Sequence, residues 1–290
     1  PSVARVTEQL FEWVGEDLPF QVAGLDHDDV LLAIEETDAL AFTGSDKTGR
    51  ILAAHAGKHI KKTVLELGGS NAFVVLPDAD LEQAAKDACY SRFRDAGQSC
   101  NAAKRIIVTE PVAEQFIELF LAECKLLKTG NPMLPETTLA PLHRKDLRQR
   151  IHDQVQDALA HGARCLLGGE LPDYDDWFYP ATVLDYVPTD CRIYHEETFG
   201  PVAAVLRARD SEHAVNLAND NPFGLGASIY SADPQLAWQC AQRLHTGAVF
   251  INRHTSSDLR LPFGGVKASG YGRELSEFGL YEFVNVKTYW

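Results

Sequence analysis

The sequence predicts an α/β fold built around a parallel sheet, and three observations support that prediction. Apolar runs rich in β-branched residues alternate with amphipathic helical patterns along the whole chain, as in proteins whose strands are joined by crossover helices. At 290 residues the chain can bury a large core, in one large domain or in two. No internal repeat or low-complexity tract interrupts the alternation.

The first part of the chain sets this pattern. Apolar residues at helical spacing predict a helix over residues 3–14, which Pro19 is expected to end. The later patterns predict, in order, a strand at 20–22, a helix at 28–34, a buried strand at 39–42, a helix at about 46–56, and strands at 63–67 and 72–76.

The same alternation continues to the end of the chain. Predicted helices cover 80–93, 112–127 with Pro111 in the first turn, an apolar stripe from Leu147 to Leu159 that Gly162 caps, and segments starting at Ser211 and Asp233. Predicted strands cover 105–108, 165–167, 178–184, 202–206, 227–230 and 248–251.

Charge and composition exclude several classes of function. A net charge of −14 argues against a nucleic-acid partner. No apolar run approaches the roughly 20 residues that span a bilayer, so no membrane partner is expected. The six cysteines form no C-x-x-C pair, which favours a reduced, cytoplasmic protein without a metal site. The chain starts at Pro1 and its one methionine is Met133, which indicates a piece of a longer product.

Cys100 is the candidate nucleophile. It follows the Gly97-Gln98-Ser99 turn, between a helical pattern and a strand pattern, where it can face a cleft. Cysteine reacts through its thiolate and is the strongest nucleophile among side chains near neutral pH. The alternative is a small buried apolar residue, as most free cysteines are.

Glu66 is the candidate base. It stands between apolar residues at the end of a predicted strand, where desolvation would raise the pKa of its carboxyl towards the range of a general base. An exposed charge at a strand end is the alternative. A cysteine hydrolase would need a histidine base instead, and the sequence singles out none of its ten histidines.

A third feature is the segment Phe42-Thr43-Gly44-Ser45-Asp46-Lys47-Thr48-Gly49-Arg50. A strand, a turn and a helix start in this order can hold a phosphate on backbone N–H groups. The segment matches neither G-x-G-x-x-G nor a P-loop. A plain helix cap by Ser45 or Asp46 is the alternative.

Together these segments resemble the aldehyde dehydrogenase superfamily. The resemblance rests on six motifs in the order of the family: Phe42-Thr43-Gly44-Ser45; Leu65-Glu66-Leu67-Gly68-Gly69 with Asn71; Gly97-Gln98-Ser99-Cys100; Glu196-Glu197-Thr198-Phe199-Gly200-Pro201-Val202; Asn221-Pro222-Phe223-Gly224-Leu225; and Pro262-Phe263-Gly264-Gly265-Val266-Lys267 with Ser269-Gly270 and Gly272-Arg273-Glu274. Asp95 departs from the family, which usually carries Asn there.

The resemblance implies an NAD- or NADP-dependent oxidation of an aldehyde to a carboxylic acid. Cys100 is expected to form a thiohemiacetal and then a thioester, with its backbone N–H as one oxyanion donor, and Glu66 to activate the hydrolytic water. The residues expected to bind the cofactor are Gly44, Ser45, Gly49, Leu67, Gly68, Glu197 and Phe199.

The resemblance also implies a domain organisation. Residues 1–68 would be the C-terminal part of a Rossmann-type cofactor domain, residues 69–270 an α/β catalytic domain, and residues 271–290 a return segment with an oligomerisation strand at 282–289. A homodimer or homotetramer is expected. The strands expected to precede Pro1 would carry the residues that distinguish NAD from NADP, and the isolated 290-residue chain is expected to be impaired.

The segment 267–280 is most similar to bacterial succinate-semialdehyde dehydrogenases of this family. A substrate with a carboxylate needs a cationic or hydrogen-bonding clamp, and the candidates are Arg253, Ser256, Ser257 and Arg260. Each could instead be a solvated loop residue.

Two other functions stay open at the level of sequence. One is a CoA-acylating aldehyde dehydrogenase, in which CoA takes the acyl group; the retained Glu66 argues against it, because that reaction needs no water-activating base. The other is a non-catalytic truncated relative that keeps the fold for assembly.

Overall fold

Strands and helices alternate through the part of the chain that the structure describes. The structure is a computed structural model, and it describes residues 2–14, 21–173 and 177–290. The helices are α1 (Ser2–Val14), α2 (His27–Glu36), α3 (Asp46–Lys58), α4 (Leu81–Phe93), α5 (Glu110–Cys124), α6 (Lys145–Ala160), α7 (Arg192–His195), α8 (Ser211–Asn219), α9 (Pro234–Ala241) and α10 (Ser276–Tyr281).

The strands are two to seven residues long. They are β1 (Ala39–Thr43), β2 (Lys62–Glu66), β3 (Asn71–Val75), β4 (Ala103–Thr109), β5 (Arg164–Leu167), β6 (Thr182–Asp185), β7 (Val202–Ala208), β8 (Phe223–Gly224), β9 (Gly226–Tyr230), β10 (Ala248–Ile251), β11 (Val266–Lys267) and β12 (Gly270–Tyr271).

The chain divides into two compact units. Unit 1 consists of Pro1–Leu40 and Arg50–Thr63, and so contains α1, α2 and most of α3. Unit 2 consists of Ala41–Gly49 and Val64–Trp290, and contains every residue predicted for catalysis or binding.

A seven-stranded sheet forms the centre of unit 2. Its strand order is β10-β9-β3-β4-β7-β6-β5, and all neighbouring pairs are parallel except β5 with β6. Its central strands, β3, β4, β7 and β9, are buried almost throughout because helices cover both faces. Val74 and Ile107 point into one core, with α6, α8 and α9, while Phe73 and Ile106 point into the other, with α4 and α5.

A smaller sheet positions the end of β2. Its order is β1-β2-β12, and β12 runs antiparallel to β2 with Gly270 opposite Glu66. Gly270 has φ of 105°, and a side chain there would collide with the carbonyl of Leu65. A glycine therefore lets the C-terminal segment lie directly against the strand that carries Glu66.

Most of the predicted elements are confirmed. Asp80 and Asp233 cap α4 and α9 through their side chains, Pro111 lies in the first turn of α5, and Gly162 follows α6 with φ of 105°. None of the described helices combines the length and the apolar character needed to cross a bilayer.

Four of the predicted strands differ from the structure or are not tested by it. Residues 21–22 form no strand, and Phe20 and Pro19 lie outside the described residues. The strand predicted at 39–42 is only partly buried. The strand predicted at 178–184 begins at Thr182, because Pro180 lacks the N–H that a ladder needs. Residues 282–289 pair with no strand in the described chain, so their pairing with a neighbouring subunit stays a prediction.

Candidate active site

The turn before Cys100 is an unusual stretch of backbone. A short 3₁₀ segment, Arg94–Gly97, follows α4, and Asp95, Ala96 and Gly97 have φ of 53°, 54° and 71°. Such left-handed residues reverse the chain sharply but are unfavourable for most side chains. Gly97 also lies so close to the carbonyl of Gly200 that a β-carbon would overlap it. The reversal leaves Cys100 partly exposed at the entrance to β4.

A buried arginine holds the same turn in place through hydrogen bonds. Arg92, at the end of α4, is 0% exposed. Its Nη2 donates to the carbonyls of Gly97 (2.7 Å) and Gly200 (2.8 Å), and its Nη1 to the carbonyl of Ala103 (3.4 Å). A guanidinium can bond several carbonyls at once, so Arg92 joins both ends of the Cys100 turn to the Gly200 segment.

Lys104 sets the charge around Cys100. Its side chain is 2% exposed, and its Nζ forms an ion pair of 3.0 Å with Oε1 of Glu197. The same Nζ donates to the carbonyls of Ser99 (2.9 Å) and Cys100 (2.7 Å). Burial raises the pKa of the Cys100 thiol, the positive charge of Lys104 lowers it, and the carboxylates of Glu197 and Glu66 raise it. Lys104 is therefore the charged group that favours the reactive thiolate, and a backbone hydrogen bond from Asn101 acts in the same direction.

Glu66 is a buried acid at the end of β2. The residue is 3% exposed, and neither carboxyl oxygen has a hydrogen-bond partner among the described residues. Burial raises the pKa of Glu66 to about 8; the charge of Glu274 also raises it and that of Arg273 lowers it. The alternative of an exposed strand-end charge is therefore wrong. The charge of Glu66 contributes to the raised pKa of the Cys100 thiol, so the two groups lie near enough to interact electrostatically.

Gly68 and Gly69 make room for Glu197. Oε1 of Glu197 accepts a hydrogen bond from the backbone N–H of Gly69 (3.0 Å). A β-carbon on Gly68 would overlap Oε2 of Glu197, so only glycine allows this approach. Ser269 holds the segment from the other side, because its hydroxyl donates to the carbonyl of Gly68 (2.7 Å) and accepts from the N–H of Gly224 (3.0 Å).

The segment from Gly44 to Gly49 has the predicted strand–turn–helix geometry. The N–H of Gly44 donates to the carbonyl of Glu66 (3.0 Å), and Oγ of Ser45 accepts from the N–H of Thr48 (3.2 Å). Ser45 thus caps α3, which confirms the plain capping alternative without excluding an anion at the helix start. Gly49 packs so closely on Leu67 that a β-carbon would overlap the leucine side chain.

Glu197 and the start of α3 are chemically suited to the ribose and the phosphate of a dinucleotide. A carboxylate can accept hydrogen bonds at about four positions, so Glu197 can receive the two hydroxyls of a ribose while bonded to Gly69. The centroid of the Phe199 ring lies 5.9 Å from Nζ of Lys104, the same group that pairs with Glu197. The start of α3 offers backbone N–H groups to a phosphate.

The four candidate substrate residues lie in one loop, but only part of that loop contacts the Cys100 turn. The hydroxyl of Thr255 donates to the carbonyl of Asn101, directly after Cys100. Ser256 is half-buried, whereas Arg253 and Ser257 are exposed. Arg260 is 86% exposed and forms an ion pair of 2.7 Å with Asp258.

Sequence reasoning missed several residues that hold the site together. Lys104, Arg92, Ser269 and Thr255 are all buried and bond the backbone of the catalytic segments. A signal for Lys104 was present, since it stands at the start of a strand whose residues are all buried. A buried charge requires a partner, so a lysine in that position predicts a nearby carboxylate.

The chain resembles known proteins over almost its whole length. The protein named Sad of Escherichia coli, a succinate semialdehyde dehydrogenase using NAD(P)+ by its name, is 48% identical over 292 residues, which cover 99% of this chain and 63% of Sad. A succinate-semialdehyde dehydrogenase (NADP+) of Deinococcus radiodurans is 42% identical over 293 residues, which cover 99% of this chain and 61% of the relative.

Solved structures agree with the sequence relatives. Succinic semialdehyde dehydrogenase of Streptococcus pyogenes, solved with NADP+, has a TM-score of 0.94 and 41% identity, over 98% of this chain and 63% of that chain. The chain therefore spans between 61% and 63% of the length of these relatives. Residues 20–289 match the family described as the aldehyde dehydrogenase family. With this match and relatives that are 41–48% identical over 98% or more of the chain, the chain is a member of the aldehyde dehydrogenase family.

Proposed function

We propose that the protein oxidises an aldehyde to a carboxylic acid with NAD+ or NADP+, through a covalent thioester on Cys100. One observation carries the proposal: a half-buried thiol and a buried carboxyl with a raised pKa act on each other beside the Lys104–Glu197 ion pair. A nucleophile and a base in one desolvated site are what acyl chemistry requires.

Cys100 acts first as the nucleophile. Its thiolate attacks the aldehyde carbon, a C–S bond forms, and the carbonyl oxygen becomes an oxyanion that the backbone N–H of Cys100 can stabilise. A bound nicotinamide would supply the acceptor for the hydride that this thiohemiacetal loses when it becomes a thioester on Cys100. Lys104 favours the ionised thiol at the start of the sequence.

Glu66 acts in the second half of the reaction. Its carboxylate removes a proton from a water molecule, the water oxygen bonds to the thioester carbon, and the C–S bond breaks to return the Cys100 thiolate. A pKa of about 8 makes Glu66 a stronger base than an ordinary glutamate and still leaves part of it ionised near neutral pH.

The chain's own contribution to cofactor binding is divided between two places. Glu197 would accept ribose hydroxyls and Phe199 would pack nearby, next to Gly68 and Leu67. Gly44, Ser45 and Gly49 would bring the start of α3 to the pyrophosphate, where backbone N–H groups and the helix dipole favour an anion.

Succinate semialdehyde is the proposed substrate. The support is the name shared by the relatives from Escherichia coli and Deinococcus radiodurans. Within the loop before Pro262, Ser256 is the best placed to bond the distal carboxylate, because its neighbour Thr255 contacts the Cys100 turn. Arg253 and Ser257 are further candidates in this loop, and Arg260 would have to leave Asp258 to take part.

The test compares two catalytic variants with a matched cysteine control in the protein at its natural length. Cys100→Ala should abolish NAD(P)H formation. Glu66→Gln should give one rapid equivalent of NAD(P)H per site and then turnover reduced by about a hundredfold or more. Cys165→Ala, at an exposed cysteine, should match the parent.

Three results would contradict the proposal. Undiminished turnover in Cys100→Ala would exclude the nucleophile. If Glu66→Gln gives no rapid phase, Glu66 is required for thioester formation and not only for hydrolysis of the thioester. Acyl-CoA as the product, in the presence of CoA, would replace hydrolysis by acyl transfer.

We propose further that the protein is a cytoplasmic homodimer or homotetramer. Its described cysteines are all free, as expected in a reducing compartment. Phe278, Leu280, Tyr281 and Val286 are all more than half exposed, and an apolar surface of this kind is typical of an interface. Light scattering on the purified protein should give two or four chains per particle, and a monomer would exclude this state.

A further inference from the structure

Unit 1 contains a cluster of three potential metal ligands at the ends of two helices. Glu35 lies near the end of α2, His55 lies in the last turn of α3, and His59 directly follows the last residue of α3, Lys58. Oε1 of Glu35 lies 3.1 Å from Nε2 of His55 and 3.4 Å from Nε2 of His59. One ligand atom from each residue lies within 4.8 Å of the other two.

Hydrogen bonding within the described chain does not account for the two imidazoles. Both Nε2 atoms are shielded from solvent, and neither has a hydrogen-bond partner of acceptable geometry among the described residues. The two rings lie with centroids 4.9 Å apart. Buried polar atoms without partners are unfavourable, so two of them aimed at one carboxylate oxygen require an explanation.

Two of the three separations between donor atoms match a tetrahedral metal site, and the third is within 4.8 Å. Bonds of about 2.0–2.1 Å at tetrahedral angles place neighbouring donors about 3.3 Å apart, and the two observed separations are 3.1 Å and 3.4 Å. We propose that Glu35, His55 and His59 bind a divalent cation of the zinc class, with water as the fourth ligand. Two imidazoles and one carboxylate favour Zn²⁺ or Co²⁺ over Mg²⁺ and Ca²⁺, which prefer oxygen ligands.

The ion would tie α2 to α3 within unit 1. Only the folded chain brings Glu35 to the two histidines, so binding stabilises the folded state by mass action. The sequence-based expectation of no metal site rested on cysteine spacing, which carries no information on a histidine pair. The H-x-x-x-H spacing of residues 55–59 was visible in the sequence, whereas the third ligand from another helix was not.

The experiment uses metal-free protein at its natural length and two metals as probes. Co²⁺ should produce the visible absorption of a tetrahedral N/O site, and Zn²⁺ should displace it at one equivalent per chain. Zn²⁺ should also raise the thermal unfolding midpoint, and EDTA should reverse the rise. His59→Ala and Glu35→Gln should each weaken Zn²⁺ binding by about tenfold or more.

His245→Ala is the matched control, since His245 is an exposed histidine outside the cluster. It should bind Zn²⁺ as the parent does. Glu35→Gln keeps the shape of the side chain, so it decides the outcome if His59→Ala does not fold. The proposal is overturned if the parent binds no Co²⁺ or Zn²⁺, if binding is unchanged in folded Glu35→Gln, or if His245→Ala weakens binding equally.

Discussion

The Glu66 carboxyl has no hydrogen-bond partner among the described residues and is almost entirely removed from water. Burial therefore raises its pKa from 4.5 to about 8. Between these values the folded state keeps a proton that the unfolded state has released. Stability contributed by the neutral acid is complete below pH 4.5 and is lost as the pH rises through about 8.

Replacing Glu66 by Gln should remove this pH dependence. The thermal unfolding midpoint of Glu66→Gln should exceed that of the parent by a margin that grows from the unfolded pKa of 4.5 to the folded pKa of about 8 and then levels off. The exposed Glu277→Gln should follow the parent at every pH. A margin that stays constant or shrinks with pH would contradict the raised pKa of Glu66.

Lys104 offers a second prediction at the level of one residue. Met has a similar length but no charge, so Lys104→Met removes the group that lowers the pKa of Cys100 and leaves Glu197 without its cation. Alkylation of Cys100 by iodoacetamide, located by mass spectrometry, should slow by roughly three- to tenfold near neutral pH and shift its pH profile upward.

The control for Lys104 is Lys125→Met, at an exposed position. Measurements belong below the unfolding midpoints of both variants, because an unpaired buried Glu197 is destabilising. An unchanged alkylation profile in Lys104→Met would mean that the thiolate of Cys100 is stabilised by another group.

The sequence was sufficient for Cys100 and Glu66 but not for the residues that hold them. Each candidate stands within three residues of a glycine at the end of a regular pattern, and such local features can be seen in a sequence. Lys104 and Ser269 act through partners distant in the chain, Glu197 and Gly68. Hydrogen bonds between distant segments leave no periodicity that a sequence pattern can reveal.

At the level of elements, the 3₁₀ turn Arg94–Gly97 explains the departure at position 95. Asp95 has φ of 53°, and Asn and Asp are the non-glycine residues that best tolerate this conformation. The family's usual Asn and the Asp of this chain therefore meet the same requirement of the backbone.

Substitutions at Asp95 should separate backbone strain from charge. Asp95→Asn should leave the free energy of unfolding within about 0.5 kcal/mol, since the ion pair with Arg94 is exposed and such pairs contribute little. Asp95→Val should lower it by about 1–2 kcal/mol, because a β-branched side chain is strained at positive φ. Urea unfolding measures both, and equal stabilities would rule out strain.

The elements predicted best are those with complete local signals. The main helices and the strands of the seven-stranded sheet carry periodicity, caps and breakers in their own residues. The two-residue strands β8, β11 and β12 were not predicted, because their geometry depends on contacts with distant segments such as β2. Pro180 is a local signal that the prediction of a strand at 178–184 overlooked. A proline cannot donate to a strand ladder, and the strand begins only at Thr182.

At the scale of the whole molecule, Ser269 joins segments that are far apart in sequence. Its side chain is fully buried and bonds Gly68 and Gly224. Ser269→Ala should lower the free energy of unfolding by about 2–3 kcal/mol, since two backbone groups lose their buried partner. Ser256→Ala, at a half-buried loop position, should change it by less than about 1 kcal/mol. Similar losses in both variants would contradict this role of Ser269.

The bond between Ser269 and Gly68 spans 201 residues, and the bond between Glu197 and Gly69 spans 128. A ribosome therefore releases the Cys100 turn long before the groups that surround it. Strand β3 has its neighbour β4 early, but its other edge stays open until β9 is made. Long-range parallel pairing is slow and leaves such edges open to aggregation. The nascent chain thus carries an unpaired strand edge until β9 has emerged, and its Cys100 turn lacks part of its surroundings until residue 269 has emerged, which makes the nascent chain a natural client for chaperones.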